Sequence, residues 1–276
     1  MNLLTASIVL YKNDPQMVTR VIESFFDGYI EEKGPRRLLY LIDNSPEDEL
    51  KKLQTINPNN IVYKFLGDNV GYGRGHNVAI RKSIEQGAPY HVVLNPDIWF
   101  DATTIPNLLD FMESNHNVGC VAPKIINEDG SLRYCCRLLP TPQHHIVRRF
   151  LPNFLKSSKK DDVYLMKHHD YSKVVYTPNA SGCFMFLRNK ALQEVGLFDE
   201  NIFMYYEDVD LSRRVHQKYK VCCIPNASAI HWANRESYKS FKMLKVHIKS
   251  AIYYFNKWGW IFDKERRKVN KKYTNI

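Results

Sequence analysis

Acidic side chains stand at three places where chemistry could be done. Asp43 closes the apolar run "LLYLID", and Asp97 follows the apolar run in "HVVLNPDIWF". Glu207, Asp208 and Asp210 sit in "FMYYEDVDLSRRV". A carboxylate on a rigid element can hold a hard divalent cation, or take a proton from a hydroxyl. Each also has an ordinary explanation. Asn-Pro-Asp is common turn chemistry. Acids at a helix start complement its dipole, and Asp210 is spaced to pair with Arg214 one turn on. Those explanations leave out the bulky run Phe203-Met204-Tyr205-Tyr206 just before the acids. An acid set behind such a wall is expected to have a raised pKa, which suits a base.

The elements that must position these acids alternate. "LLTASIVL", "LLYLID", "NIVYKFL" and "HVVLN" read as short buried strands. Between them, Val18, Val21, Ile22 and Phe25 hold helical spacing, as do Ile105, Leu108, Leu109 and Met112, and a further helix is expected after Gly75. Such alternation predicts an α/β fold with a mostly parallel sheet covered on both faces, its ligands at the carboxyl ends of the strands. Asp43 and Asp97 both fall at such ends. Later, "GCFMFL" reads as a strand and "NKALQEVG" as a short helix ending at Gly196. Periodicity fails from Pro140 to about Lys173, which reads as a mobile, partly helical insertion. Its paired histidines, His144-His145 and His168-His169, read as exposed or packing residues, because neighbours point apart on helices and strands.

Composition narrows the class. A 44% hydrophobic, 13% aromatic chain of 276 residues is globular and not disordered. No apolar run is long enough to cross a bilayer, and the opening "MNLLTASIVLYKND" reads as a first strand, without the basic start of a signal peptide. The six cysteines form neither a zinc pattern nor a disulfide framework, and reduced thiols in a cytoplasmic protein are the simplest reading. Residues 235–276 carry 12 Lys/Arg against 3 Asp/Glu, whereas the preceding 234 residues are nearly neutral. A neutral body with a basic tail argues for an anionic surface met by the tail, and against nucleic acid gripped by the whole protein. Within the tail, Phe241, Leu244, Ile248, Ile252 and Phe255 share one helical face, followed by the tryptophans of "WGWIF" and a basic cluster. Packing on the core and docking on a membrane surface are both open readings.

Six segments in order, "LIDNSP", "GDNVGYGRGHNVAI", "VVLNPDI", "SGCFMF", "GLFDENIFMYYEDVDLSRR" and "IPNASAIHWANRES", resemble family 2 glycosyltransferases, and most of all their bacterial rhamnosyltransferase-like branch. The resemblance runs from about Leu4 to Ser240. It implies a GT-A fold over residues 1–238, with a nucleotide-sugar-binding half (1–122), an acceptor and catalytic half (123–238) and the basic helical segment 239–276 beyond it. It also implies inverting, Mg2+- or Mn2+-assisted transfer from a nucleotide-diphosphate sugar. On this resemblance Asp43 reads the nucleobase, and Asn69, Gly71, Gly75 and Asn77 line the nucleotide. Asn95-Pro96-Asp97 takes the place of the family's DxD motif, Asp97 being the metal ligand and Asn95 standing where many members have aspartate. Glu207-Asp208 matches the ED motif, with Asp208 as base, and His231 matches a histidine that adds a metal contact. The expected donor is dTDP-rhamnose, with a UDP-hexose or UDP-galactofuranose as the alternative. The expected acceptor is a surface polysaccharide or lipid-linked oligosaccharide at the inner face of the plasma membrane.

Two other readings fit less well. Gly71-Tyr72-Gly73-Arg74-Gly75 has GxGxG spacing rather than GxGxxG, and it follows the third strand, which disfavours a dinucleotide-binding oxidoreductase. A non-catalytic nucleotide-sugar-binding assembly protein would be expected to lose Asp97 or Asp208, and this chain keeps both.

Overall fold

A computed structural model describes residues 3–30, 34–143, 158–232 and 241–274. His144, His145 and the segment 233–240 lie outside the described residues. The first strands are β1 (Leu3–Leu10), β2 (Arg36–Asp43), β3 (Ile61–Phe65), β4 (Tyr90–Leu94), β5 (Ile98–Phe100) and β6 (Val118–Ile126). Three helices lie among them: α1 (Pro15–Phe26), α2 (Tyr72–Glu85) and α3 (Thr104–Ser114). Short strands β7 (Leu132–Arg133) and β8 (Cys136–Arg137), helix α4 (Ser158–Tyr164), and strands β9 (Val175–Tyr176) and β10 (Asn179–Ala180) follow. Then come β11 (Phe184–Arg188), α5 (Asn189–Val195), α6 (Glu207–Lys218), β12 (Lys220–His231), α7 (Phe241–Trp258) and α8 (Lys264–Thr274).

The main sheet has the order β3-β2-β1-β4-β11-β6-β12-β5, with β7 on β6 and β9 on β12, while β8 and β10 pair separately. Strands β1 to β4 are mutually parallel, as expected from their continuous apolar runs. β11 runs antiparallel to both β4 and β6, which leaves β6 and β12 pointing the same way as β4. The carboxyl ends of β1, β2, β4, β6 and β12 therefore share one edge with the starts of β5 and β11.

Helix α1 shows how local sequence sets an element. Asp14 caps it through Gln16 N (2.9 Å), proline opens it, and Val18, Val21, Ile22 and Phe25 bury one face. Helix α2 begins at Tyr72, earlier than expected, so Gly73 and Gly75 fall inside its first turns. A Cβ on Gly73 would come within 2.8 Å of Phe198, and one on Gly75 within 2.8 Å of Val9. The glycines let α2 press onto β1 and the 198 loop, which offsets their poor helix propensity.

A polar run crosses the core between β1, β4 and α2. Ser7 Oγ bridges His76 Nδ1 and His91 Nε2, both at 2.7 Å, and Thr5 Oγ1 joins His91 Nδ1 (2.7 Å) to Ser83 Oγ (2.6 Å). Burial drives the His91 pKa down to about 3, and burial followed by the His91 charge drives His76 well below the usual histidine range. Both rings are neutral at pH 7.

The basic tail is packed onto α6. Arg213 forms two parallel hydrogen bonds with Asp263 (2.7 and 2.8 Å), both side chains about 2% exposed, and lies 4.1 Å from the Trp258 ring centroid. Lys257 reaches Asp199 and Asp210, and Asp210 also takes the expected bond from Arg214 Nε (2.8 Å). The buried face of α7 carries Ser250, Tyr254 and Phe255. Most of the expected stripe is not that face: Phe241 is 71% exposed, and Ile248 and Ile252 are exposed too. Ile261 and Phe262, in the turn before α8, stand in solvent at 65% and 86%.

Candidate active site

The shared edge gathers the acids. Asp43 is fully buried at the end of β2, where it accepts from Ser45 N (2.8 Å) and the Tyr63 hydroxyl (2.6 Å). It thus ties β2 to β3 and to its own loop. Asn44, which the sequence did not single out, donates to the Gly71 carbonyl (3.1 Å), and Asn69 Oδ1 accepts from Gly71 N (3.2 Å). Gly71 has φ 93°, and a Cβ there would press on the Phe203 carbonyl and ring. The 69–71 loop is therefore held at the edge.

Gly75 and Asn77 do not line that edge. Gly75 faces Val9, and Asn77, 1% exposed, bonds Phe198 O (2.9 Å), Phe198 N (3.0 Å) and Glu200 Oε1 (3.0 Å). Gly75 thus seats α2 on β1, and Asn77 seats it against the 198–200 loop. Helical periodicity explains this: two residues apart on α2, they point to different sides, Gly75 to β1 and Asn77 to the 198–200 loop.

Asn95 and Asp97 follow β4, and β5 pairs with the end of β12 so that Ile98 is opposite His231. The Asp97 carbonyl accepts from Trp232 N (2.9 Å), which pins the two segments together. His231 Nε2 then lies 3.2 Å from Asp97 Oδ1 and 3.2 Å from Asn95 Nδ2. Asp97 Oδ1 is cut off from solvent and has no hydrogen bond. The Tyr72 hydroxyl lies 2.9 Å from Asn95 Oδ1 and 2.8 Å from Gly182 O, and its single proton is shared between these two acceptors. Arg133 donates to His231 Nδ1 (2.7 Å). Arg133 at Nδ1 and Asn95 Nδ2 at Nε2 are both donors, so a neutral imidazole accepts from only one of them; accepting from the closer Arg133 leaves the proton on Nε2, on the side of Asp97.

The edge fits a divalent cation under one condition. Two cis ligands at the usual Mg2+–oxygen distance lie about 3 Å apart, which matches the Asp97–His231 spacing, and the unmatched Asp97 oxygen lacks a partner. Ligation through Nε2 requires that nitrogen to lose its proton, and so requires Arg133 to release Nδ1.

Glu207 and Asp208 open α6 and differ sharply. Glu207 is 6% exposed with Oε2 unmatched, and burial followed by the Asp208 charge raises its pKa well above the carboxylate range. The raised pKa expected behind the aromatic wall therefore falls on Glu207, which faces inward. Asp208 is half-buried; Oδ2 accepts from Gly182 N (2.9 Å) and Oδ1 from Val209 N (2.8 Å). A Cβ on Gly182 would lie 3.0 Å from Asp208 Cβ, so the glycine makes room for the acid. Tyr205 and Tyr206, just before α6, both adopt left-handed backbone (φ 67° and 68°). Arg133, Arg137, Tyr72 and Gly182 are site residues the sequence reading missed; Tyr72 and Gly182 lay in quoted motifs, the two arginines in none.

Two cysteine and histidine groups lie elsewhere. Cys135, Cys136 and Cys223, which no spacing pattern links, bring their sulfurs within 4.8 Å of one another inside the apolar core. His168 and His169 do not point apart: their ring centroids are 4.4 Å apart, because they sit in a turn, and both approach the Tyr273 carbonyl.

A parallel sheet with an acid-lined carboxyl edge and a second acid at the start of a facing helix defines the nucleotide-sugar transferase architecture of the GT-A kind. The Glycosyl transferase family 2 model matches residues 7–196, and the chain belongs to that family. It is 27% identical over 184 residues to the low-salt glycan biosynthesis hexosyltransferase Agl10 of Haloferax volcanii, covering 64% of this chain and 53% of that one. It is 28% identical over 200 residues to the N-acetylglucosaminyl-diphospho-decaprenol L-rhamnosyltransferase of Mycobacterium tuberculosis, covering 69% of this chain and 65% of that one. The chain thus spans between half and two thirds of these relatives. Among solved structures, GalNAc-T7 with UDP, GalNAc and Mn2+ shares the fold at a TM-score of 0.60 and 14% identity, over 83% of this chain and 42% of that one.

Proposed function

We propose that the chain transfers a sugar, rhamnose from dTDP-rhamnose in the first instance, from a nucleotide-diphosphate donor to a hydroxyl of a lipid-linked saccharide, with inversion. The observation that carries this reading is the placement of the Asp208 carboxylate, fixed by Gly182 N, at the same sheet edge as the Asp97–His231 pair. Asp208 takes the acceptor hydroxyl proton as the oxygen attacks the anomeric carbon. The bond from that carbon to the donor phosphate breaks, and the electron pair leaves with the nucleoside diphosphate. A positioned base of this kind is worth on the order of 10²–10⁴ in rate. Asp97 and His231 would hold Mg2+ or Mn2+, which when bound neutralises charge on the departing diphosphate. Asn95, Asn69, Gly71 and Asp43 form the nucleotide-sugar side. Buried Glu207 backs Asp208 and, in its protonated form, adds no second negative charge.

The family assignment and the rhamnosyltransferase of M. tuberculosis support donor and acceptor class. Among the described residues no helix is long and apolar enough to cross a membrane. A peripheral position at the inner leaflet is supported by Phe241, Ile261 and Phe262, which stand in solvent on a basic tail. The decisive experiment is a panel of dTDP-, UDP- and GDP-sugars scored by thermal shift with and without Mn2+, followed by transfer assays. A Mn2+-dependent shift with dTDP-rhamnose is expected. A shift with a UDP-hexose or UDP-galactofuranose alone would replace the donor, and binding without turnover on any acceptor would mark an assembly protein. For the tail, Phe262→Ser should weaken co-sedimentation with anionic vesicles while changing stability by less than about 0.5 kcal/mol; unchanged sedimentation would remove the membrane reading.

A further inference from the structure

Among the described residues the half-buried and buried arginines are paired, with one exception. Arg213 has Asp263, Arg214 has Asp210, Arg37 and Arg266 cap backbone carbonyls, Arg188 bonds three carbonyls and Tyr90, and Arg133 holds His231. Arg137 has neither an ion pair nor a side-chain hydrogen bond among the described residues, and its Nε is shut off from solvent. A guanidinium whose Nε is left this way loses hydration there and recovers nothing, so its retention calls for an anion that none of the described residues supplies.

Its surroundings say which anion. Arg137 is opposite Asn179 in the β8–β10 pair, next to the Ser181-Gly182 turn that holds Asp208. Burial would lower its pKa, but the Tyr164 phenol and then the Asp208 charge hold it above the usual arginine value, so it is cationic throughout. Asp208 is near enough to be felt and too far to pair. Arg133 and Arg137, four residues apart, thus attend two different centres: Arg133 the Asp97–His231 pair, Arg137 the base. In a single inverting displacement the leaving diphosphate and the entering hydroxyl lie on opposite sides of the anomeric carbon.

We propose that Arg137 binds a phosphate of the acceptor, the diphosphate that joins its first sugar to lipid, and so selects lipid-linked over free saccharide. The inference rests on the glycosyltransferase reading above. The planar, forked guanidinium suits two phosphate oxygens at once, which a lysine does not match.

The first test is independent of turnover. Inorganic pyrophosphate is titrated calorimetrically into the protein with excess Mg2+ and saturating dTDP or UDP. Binding is expected for the native chain and should weaken at least about tenfold in Arg137→Gln, with partial recovery in Arg137→Lys. Displacement of the nucleotide by pyrophosphate would assign the site to the donor and overturn the proposal, as would equal binding by both variants. The second test compares a diphosphate-linked acceptor with the same sugar as a phosphate-free glycoside. Arg137→Gln should raise KM for the first at least about tenfold more than for the second, with donor KM unmoved. Equal loss of kcat on both acceptors would mean that Arg137 serves Asp208 instead, and the proposal would fall. Should Arg137→Gln not fold, by its melting curve, Arg137→Lys carries both comparisons. If no donor supports transfer, the function reading fails while the pyrophosphate titration still decides Arg137.

Discussion

Two polar groupings share one sheet and could hardly be less alike. In the core, Thr5, Ser7, His76, Ser83 and His91 are fully buried and joined by short hydrogen bonds, and their loose end, His76 Nε2, is a neutral atom. At the edge, two of the loose ends belong to charge-bearing side chains: an Asp97 oxygen and the Arg137 Nε. A neutral unmatched atom costs about 1–3 kcal/mol, a charge considerably more. The fold can carry the first indefinitely as structure. The second makes sense only where ligands complete it. Arg213–Asp263 supplies the control, a buried guanidinium whose charge the fold did pair, although its Nε too is unmatched.

The contrast can be broken at its strongest point first. Asp208→Asn should cut transfer by about 10²–10⁴, or roughly 3–5 kcal/mol of barrier, with nucleotide-sugar affinity within a few-fold and an unchanged melting curve. Near-normal turnover would shift the base to another acid. Asp263→Ala should do the opposite. Leaving Arg213 buried and unpaired is expected to cost about 3–5 kcal/mol of stability, seen as a lowered denaturation midpoint; a cost under 1 kcal/mol would show that buried charges here need no partner. For the same reason a truncation at residue 257 would destroy the fold's own ion pair, so it does not isolate membrane docking.

The core grouping predicts an acid response. His91 has a folded pKa near 3 against an ordinary 6.5, and His76 is shifted the same way. Below pH 6.5 the unfolded chain binds protons that the folded chain refuses, so stability falls as pH falls, by up to about 1.4 kcal/mol per pH unit for each ring. The loss is full for His91 only near pH 3. His91→Gln should flatten the denaturation midpoint between pH 6 and 4 by about one proton; an unchanged slope would mean the ring is protonated in the fold. Smallest of these, Ser7→Ala should cost about 1–3 kcal/mol, because it strands a nitrogen on both histidines. Activity at pH 7 should survive it, since no atom of Ser7 reaches the edge.

What could be read from the sequence follows the range of the interaction. Periodicity placed β1 to β4, α1, α3 and α5, because each is decided within a dozen residues. The strand-end acids were legible for the same reason. Partners far apart in sequence were not: His231 meets Asp97 only after β12 has docked on β5, and Arg133 meets His231 only through the β6–β7 hairpin. The tail's apolar stripe left packing and docking open, and burial took only Phe255 from it together with Tyr254, because their partners Tyr206 and Ile202 lie about fifty residues upstream. The three-cysteine cluster was invisible too, since adjacent Cys135-Cys136 acquires its third member from another strand.

The left-handed pair Tyr205-Tyr206 has a consequence for how this chain ages and fails. Two consecutive non-glycine residues in that region cost about 1–3 kcal/mol each, so the turn that aims Asp208 is a compressed spring. What keeps it compressed is the tail: Tyr206 packs on Tyr254 (5.2 Å) and Phe255 (6.0 Å), and Ser250 bonds the Met204 carbonyl (2.7 Å). Letting α7 lift would let the turn relax and the acid swing before any strand parted. On warming, catalysis should therefore vanish at a lower temperature than the sheet melts, and a family member without such a helix must wind the same spring by other means.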